Sequence, residues 1–224
     1  MKSFDLKKVT MFSILNESEL RELEPYLVPA TYKKKDVIFS EGEPPEWLYI
    51  VVEGKIKLTK LSQDGKEIIL EIMSPLDFFG GLAVLRGFPY PANAVVMEDS
   101  KFLRISRNNI MKIIDRFPNL MYCLAMQLGD RMKESHETLK NIALERVEAR
   151  IAALLLKLAD KTGKESGGGV VIEMKLTKQD IAEMVGTTVE TSIRTMSKLK
   201  KMGVVAEKEG RIAITNIAKL KSLC

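Results

Sequence analysis

The spacing of hydrophobic positions changes along the chain, and each change predicts a different kind of structure. From Asn16 onward, Leu20, Leu23 and Leu27 recur at helical spacing. Asn16 with Glu19 three residues later is a start signal, and Pro25 and Pro29 limit that helix. After Lys33 the period shortens. Val37–Phe39, Trp47–Val52, Ile56–Leu58, Ile68–Ile72, Ala94–Met97 and Lys101–Ile105 are short runs rich in β-branched and aromatic residues. Turn signals separate them at Gly42 and Pro44-Pro45, Glu53-Gly54, Asp64-Gly65, Ser74-Pro75, Gly80-Gly81, Gly87 and Pro89. Many short strands with regular turns predict a rolled or closed antiparallel sheet. Arg107–Phe117 predicts a short helix leading out of it.

From Pro118 to Ala143 the period lengthens again and stays long. Proline suits a first helical turn, and twenty-six residues at the helical rise make a rod of about 39 Å. Met121, Leu124, Leu128, Met132, Ser135, Leu139 and Ile142 follow in steps whose mean is 3.5, the period of a coiled-coil seam. Asp130, Arg131, Lys133, Glu134, Glu137 and Lys140 lie off that stripe. A narrow apolar stripe on a long helix predicts a partner helix, most simply a second copy of the chain.

Arg146–Lys161 is again amphipathic, with Ile151, Leu154, Leu155 and Leu158 on one side. Gly163–Gly169 is composed like a linker, and Val170–Lys175 like a strand. Thr177 with Asp180 opens a helix to Val185, Gly186 makes a tight turn, and Thr187 or Thr188 opens a second helix to Lys201. Ile181, Ala182, Val185, Ile193, Met196 and Leu199 are the expected shared core. Two short helices around such a turn predict a helix-turn-helix. Val204–Ala206 and Ile212–Ile214, joined at Glu209-Gly210, predict a wing hairpin.

Charge sharpens this division. Residues 1–139 carry 19 Lys and Arg against 20 Asp and Glu, and residues 140–224 carry 16 against 10. A neutral first part followed by a basic last part points to a sensor joined to a polyanion binder. The amino terminus reads without a secretory signal, no uncharged apolar run is long enough to span a membrane, and two distant cysteines, Cys123 and Cys224, give neither a disulfide framework nor a metal pair. The expectation is a cytoplasmic protein. With one histidine in the chain, no nucleophile–base set is visible, and the phosphate-loop order GxxxxGK[ST] is absent.

The stretches FSILNESELRELEPYL and VIFSEGEPPEWLYIVVEGKIKLTKLSQDGKEIILEIMSPLDFFG resemble the cyclic-nucleotide-binding β-roll of the CRP/FNR superfamily of bacterial transcription regulators. The resemblance extends over the whole chain in the family's domain order. It implies an α+β protein with three parts. Residues 1–117 are an antiparallel β-roll of double-stranded β-helix type that senses an effector. Residues 118–144 are a dimerisation helix with a hinge near Asn141–Glu145. Residues 145–224 are a winged helix-turn-helix, inside which Gly163–Gly169 becomes a surface loop. The implied partners are a second copy of the chain, palindromic double-stranded DNA, RNA polymerase and a small effector.

The same resemblance assigns residues. Glu190 and Arg194 share one helix face and match the family's base-reading pair; Arg suits guanine O6 and N7, and Glu accepts from the cytosine amino group. Val189 and Ile193 flank them. Thr188, Thr191, Lys198 and Lys201 are candidate phosphate contacts, as are Lys208 and Arg211 on the wing. Gly80, Gly81, Leu82, Tyr90, Pro91, Ala92, Ser135 and His136 are the candidate effector residues. Cyclic-AMP binders carry Glu, Arg and Ser where this chain has Gly81, Tyr90 and Pro91, so a cyclic phosphate loses its charge-assisted partners and cyclic AMP is not the expected effector. The cysteines of an FNR-type iron–sulfur sensor are absent. His136 leaves three alternatives: a haem ligand in a sensor of a diatomic gas, a hydrogen-bonding partner of an organic acid that makes the response pH-dependent, or an ordinary polar residue on a partly exposed helix. The competing class is a scaffold or enzyme that uses a cyclic-nucleotide-like module without binding DNA.

Overall fold

The computed structural model describes residues 4–166 and 169–224. They form two compact units whose boundary falls inside one helix, between Met132 and Lys133.

In the first unit α1 (Glu17–Leu23) opens with the predicted capping box: Asn16 Oδ1 accepts from the Glu19 N–H at 3.0 Å, and Glu19 Oε2 accepts from the Asn16 N–H at 2.8 Å. The strands are β1 (Val28–Tyr32), β2 (Val37–Phe39), β3 (Trp47–Leu61), β4 (Glu67–Met73), β5 (Phe78–Phe79) and β6 (Asn93–Ser106), with the short α2 (Gly81–Arg86) between the last two. They make one antiparallel sheet in the order β1-β6-β3-β4, with β2 on β6 and β5 on β3. α3 (Arg107–Arg116) follows, capped by Ser106, and then α4 (Leu120–Leu144). Phe12, Leu23, Leu48, Ile50, Ile56, Met73, Phe79, Phe102, Ile105, Ile110 and Ile113 are fully buried and form the core of this unit.

Several boundaries differ from the expectation. β1 was not expected, because Pro29 lies within it. It is the terminal strand of the sheet, where a missing N–H leaves no partner unpaired. β3 and β6 are continuous where the sequence predicts two strands each. The Glu53-Gly54 signal is a bulge inside β3, not a turn: the register against β6 shifts around Glu53, and Gly54 has φ +87°. A side chain there would also meet Ser100 Oγ at 2.1 Å. α4 begins at Leu120, two residues beyond Pro118.

The second unit contains the end of α4, then α5 (Val147–Thr162), β7 (Gly163–Ser166), β8 (Gly169–Ile172), α6 (Lys178–Val185), α7 (Val189–Lys201), β9 (Val205–Lys208), β10 (Arg211–Ile214) and α8 (Ile217–Lys221). Its sheet is antiparallel in the order β7-β8-β10-β9. The expected surface loop over Gly163–Gly169 is instead partly strand: Gly163 to Ser166 pair with Ile172 to Gly169, so backbone bonding to β8 overrides a composition with little strand propensity. Gly167 and Gly168 lie outside the described residues. The chain breaks between α4 and α5 at Glu145-Arg146, at the end of the range expected for the hinge.

Candidate functional site

In the first unit the candidate effector residues of the loop differ in exposure. Gly81 is buried, and a Cβ on it would lie 2.9 Å from Leu48 Cδ1, so the position has no room for an acidic side chain unless Leu48 shifts. Tyr90, one of the candidate effector residues, is buried, with 3% of its surface exposed. Its ring stacks on Phe39 with centroids 3.7 Å apart and planes 9° from parallel, and Phe39, Tyr49, Phe79 and Phe102 continue the cluster. The Tyr90 hydroxyl accepts from the Trp47 N–H at 2.9 Å and donates to the Trp47 carbonyl at 2.7 Å. Its backbone is tied as well: Gly42 N–H donates to Tyr90 O, and Tyr90 N–H donates to Glu43 O, both at 2.9 Å. Burial pushes the phenols of Tyr49 and Tyr90 above their ordinary pKa. Ala92 is buried, Gly80 is half-buried, and Leu82 and Pro91 are exposed. Ser135 and His136 are both exposed on α4.

Arg131, which was not anticipated, ties α4 to β5 and lies near β4. Its Nη2 donates to the Phe78 carbonyl at 2.9 Å, and its Nε lies 3.8 Å from Glu71 Oε1. On the expected seam, Leu124 is buried, whereas Met121, Leu128, Met132, Leu139 and Ile142 are exposed, Leu139 to 64%. Exposed leucine, methionine and isoleucine thus recur along α4 at positions of the 3.5-residue stripe.

In the second unit α6 and α7 make the helix-turn-helix. α6 opens with a capping box between Thr177 and Asp180 and ends at Gly186, whose φ of +66° suits a residue without a Cβ. Thr188 caps α7, accepting from the Thr191 N–H. Ser192, Met196 and Leu199 face inward with Ile181, Ala182 and Val185. Ile193 is not part of that core, as its spacing had suggested. It is 47% exposed, because positions 192, 196 and 199 take the buried stripe and 193 falls one residue round the helix.

Glu190, Ile193, Arg194, Ser197, Lys198 and Lys201 line one open face of α7 at helical spacing. Of the expected interface residues, Glu190, Ile193, Arg194, Lys198 and Lys201 are on that face; Thr188 is the exposed cap, and Val189 and Thr191 are half-buried beside it. Ser197 was missed, although it stands four residues from Ile193 and its hydroxyl donates to the Ile193 carbonyl at 2.8 Å. Glu190 and Arg194 do not pair with each other, and neither has an ion-pair partner among the described residues. Lys198 is engaged: its Nζ lies 2.6 Å from Glu148 Oε2 on α5. On the wing, Lys208 Nζ donates to Ser166 Oγ at 3.2 Å, and Arg211 is half-buried.

A basic helix with an open, unpaired acid–base pair, held by a helix-turn-helix and preceded by a β-roll, defines the class of DNA-binding regulators built on a cyclic-nucleotide-type module. Residues 29–117 match the cyclic nucleotide-binding domain profile, and residues 149–223 match the Crp-like helix-turn-helix domain profile. The chain belongs to the CRP/FNR family of transcription regulators. It is 27% identical over 215 residues to a CRP-like cAMP-activated global transcriptional regulator of Mycobacterium tuberculosis, covering 96% of each chain. It is 28% identical to an anaerobic regulatory protein of Bacillus subtilis, covering 90% of this chain and 86% of that one. Among solved structures, a CRP/FNR-family transcriptional regulator of Thermus thermophilus is 28% identical with a TM-score of 0.72, covering 88% of this chain and 97% of that one. Among the described residues no helix is long and apolar enough to cross a membrane.

Proposed function

We propose that this regulator acts in the cytoplasm as a homodimer joined along α4, and that α7 of each copy enters the major groove of a two-fold symmetric operator. The reading rests above all on the open face of α7, where Glu190 and Arg194 project without partners. Arg194 hydrogen-bonds guanine O6 and N7, and Glu190 accepts from the paired cytosine. Ile193 is the one apolar side chain on that face and meets a thymine methyl beside them. Half-sites then lie one helical turn apart, about 34 Å, with a TGA-like core. The exposed stripe on α4 supplies the dimer seam. RNA polymerase is the partner at the promoter, and regulation rather than catalysis is the activity.

The β-roll responds to a small effector other than cyclic AMP. The Mycobacterium tuberculosis relative is named for activation by cyclic AMP. Here Gly81, Tyr90 and Pro91 offer no cation or hydroxyl to a phosphate, because the Tyr90 hydroxyl is already satisfied by Trp47. An effector that enters must displace the Tyr90 ring from Phe39, which favours a flat, weakly polar molecule. A haem does not fit the residues of the roll: aromatic side chains fill its interior, and the single histidine of the chain, His136, stands exposed on α4.

Selection of bound duplexes from a random pool tests the main reading. An inverted repeat with a TGA-like half-site is the expected product, and enrichment of no symmetric motif would contradict it. Calorimetry with cyclic AMP is expected to give no binding at micromolar concentration.

A further inference from the structure

Lys198 stands on the same face as Arg194 and Lys201, but its ammonium is already held by an acid of its own unit. Glu148 Oε2 lies 2.6 Å from Lys198 Nζ. Arg194 and Lys201, by contrast, have no acidic partner among the described residues. Glu148 is anchored from a second side. It is the second residue of α5, in the first turn, where N–H groups lack intrahelical partners and the helix dipole favours a negative charge. Glu148 is the one acidic residue of that first turn. Its side chain is 29% exposed against 59% for Lys198, so the acid is the more fixed member of the pair.

A carboxylate and a phosphate compete for the same compact ammonium. A surface pair of this kind contributes little to folding, so it exchanges readily. When α7 meets a duplex, Lys198 must leave Glu148 to reach the backbone, and Glu148 is then left unpaired beside a polyanion. The counterion release that one phosphate contact supplies is thereby offset. We infer that Glu148 is a built-in phosphate surrogate: it withholds Lys198 from the DNA backbone and lowers affinity for every duplex alike, without touching base readout by Glu190 and Arg194. The inference rests on the proposed DNA-binding role of α7. It also changes the role assigned to Lys198, from a free phosphate contact to one under internal competition.

The test is fluorescence anisotropy with two duplexes of equal length, one carrying inverted TGA repeats a helical turn apart and one scrambled. The wild-type chain is compared with Glu148→Gln, Glu148→Ala, Lys198→Ala and the Glu148→Gln/Lys198→Ala double variant. Both Glu148 variants are expected to bind both duplexes about three- to ten-fold more tightly at low salt and to steepen the salt dependence by about 0.9 in log–log slope, one phosphate's worth. Lys198→Ala is expected to abolish that gain, so its loss is larger in the Glu148→Gln background than in the wild type. No gain in either Glu148 variant would overturn the inference. So would a gain that survives without Lys198, which would be the general effect of removing negative charge near DNA. A gain confined to the repeat-bearing duplex would also overturn it. If the wild type fails to distinguish the two duplexes, the base-reading assignment falls, while the scrambled duplex still decides the role of Glu148.

Discussion

The two units treat their candidate ligand residues in opposite ways. In the β-roll, Tyr90, which is aligned with an effector-site position, is used up by the fold: it is stacked, bonded through its hydroxyl to Trp47 and through its backbone to Gly42 and Glu43. In the winged helix, the residues aligned with base readout are left over: Glu190 and Arg194 are exposed and have no ion-pair partner among the described residues, and an isoleucine sits in the open between them. A buried polar group must find its partners inside the protein, whereas an exposed charged face with none is waiting for something outside. The same contrast separates two cations on α7. Arg194 is free to read, while Lys198 is shared with Glu148.

Three measurements strain this comparison, beginning with the largest expected effect. Leu139→Glu or Leu128→Glu on the exposed stripe places a charge in the proposed seam. Sedimentation is expected to show monomers, and affinity for a palindromic duplex is expected to fall by about 100-fold or more as the second half-site contact is lost. A dimer of unchanged stability in both variants would place the seam elsewhere.

Tyr90→Phe probes the closed unit. Removing the hydroxyl leaves the Trp47 N–H and C=O without their partner, a cost of about 1–3 kcal/mol in denaturant unfolding, with DNA sequence preference unchanged. The pH dependence has a definite sign. Tyr49 and Tyr90 have raised phenol pKa values, chiefly through burial. Their contribution is therefore complete below the unfolded tyrosine pKa and is lost as pH rises toward the folded values. An alkaline spectrophotometric titration is expected to find Tyr49 and Tyr90 ionising at higher pH in the folded chain than in the unfolded one.

The smallest effect concerns Ile193. Replacing the contacted thymine by uracil removes one methyl group and is expected to weaken binding by about 0.8 kcal/mol, roughly four-fold. The same replacement is expected to have no effect on Ile193→Ala. Equal sensitivity in both proteins would remove Ile193 from base contact.

Local signals in the sequence predicted what local chemistry decides. The capping boxes at Asn16/Glu19 and Thr177/Asp180, the Gly186 turn and the α6–α7 pair all follow from residues within a few positions of one another. What was not legible depends on distant partners. Pro29 argued against a strand, and only the position of β1 at the end of the sheet removes the objection. Gly54 has the look of a turn, and only β6 opposite shows it to be a bulge. Gly163–Ser166 becomes a strand through its pairing with β8. In the candidate sites, the family resemblance marked five of the six residues on the α7 face, but it could not show that Lys198 reaches Glu148 fifty positions away. Nor could it show that Tyr90 bonds to Trp47.

The most direct measurement of base reading by α7 is a loss-of-contact series. The wild type and Arg194→Ala are each titrated against a duplex with inverted TGA repeats and against one in which the G·C pair of each half-site is replaced by A·T. The wild type is expected to prefer the original duplex by about 1–3 kcal/mol per half-site, and Arg194→Ala to bind the two duplexes equally. An Arg194→Ala chain that keeps the full wild-type preference would contradict the assignment of α7 as the reading helix.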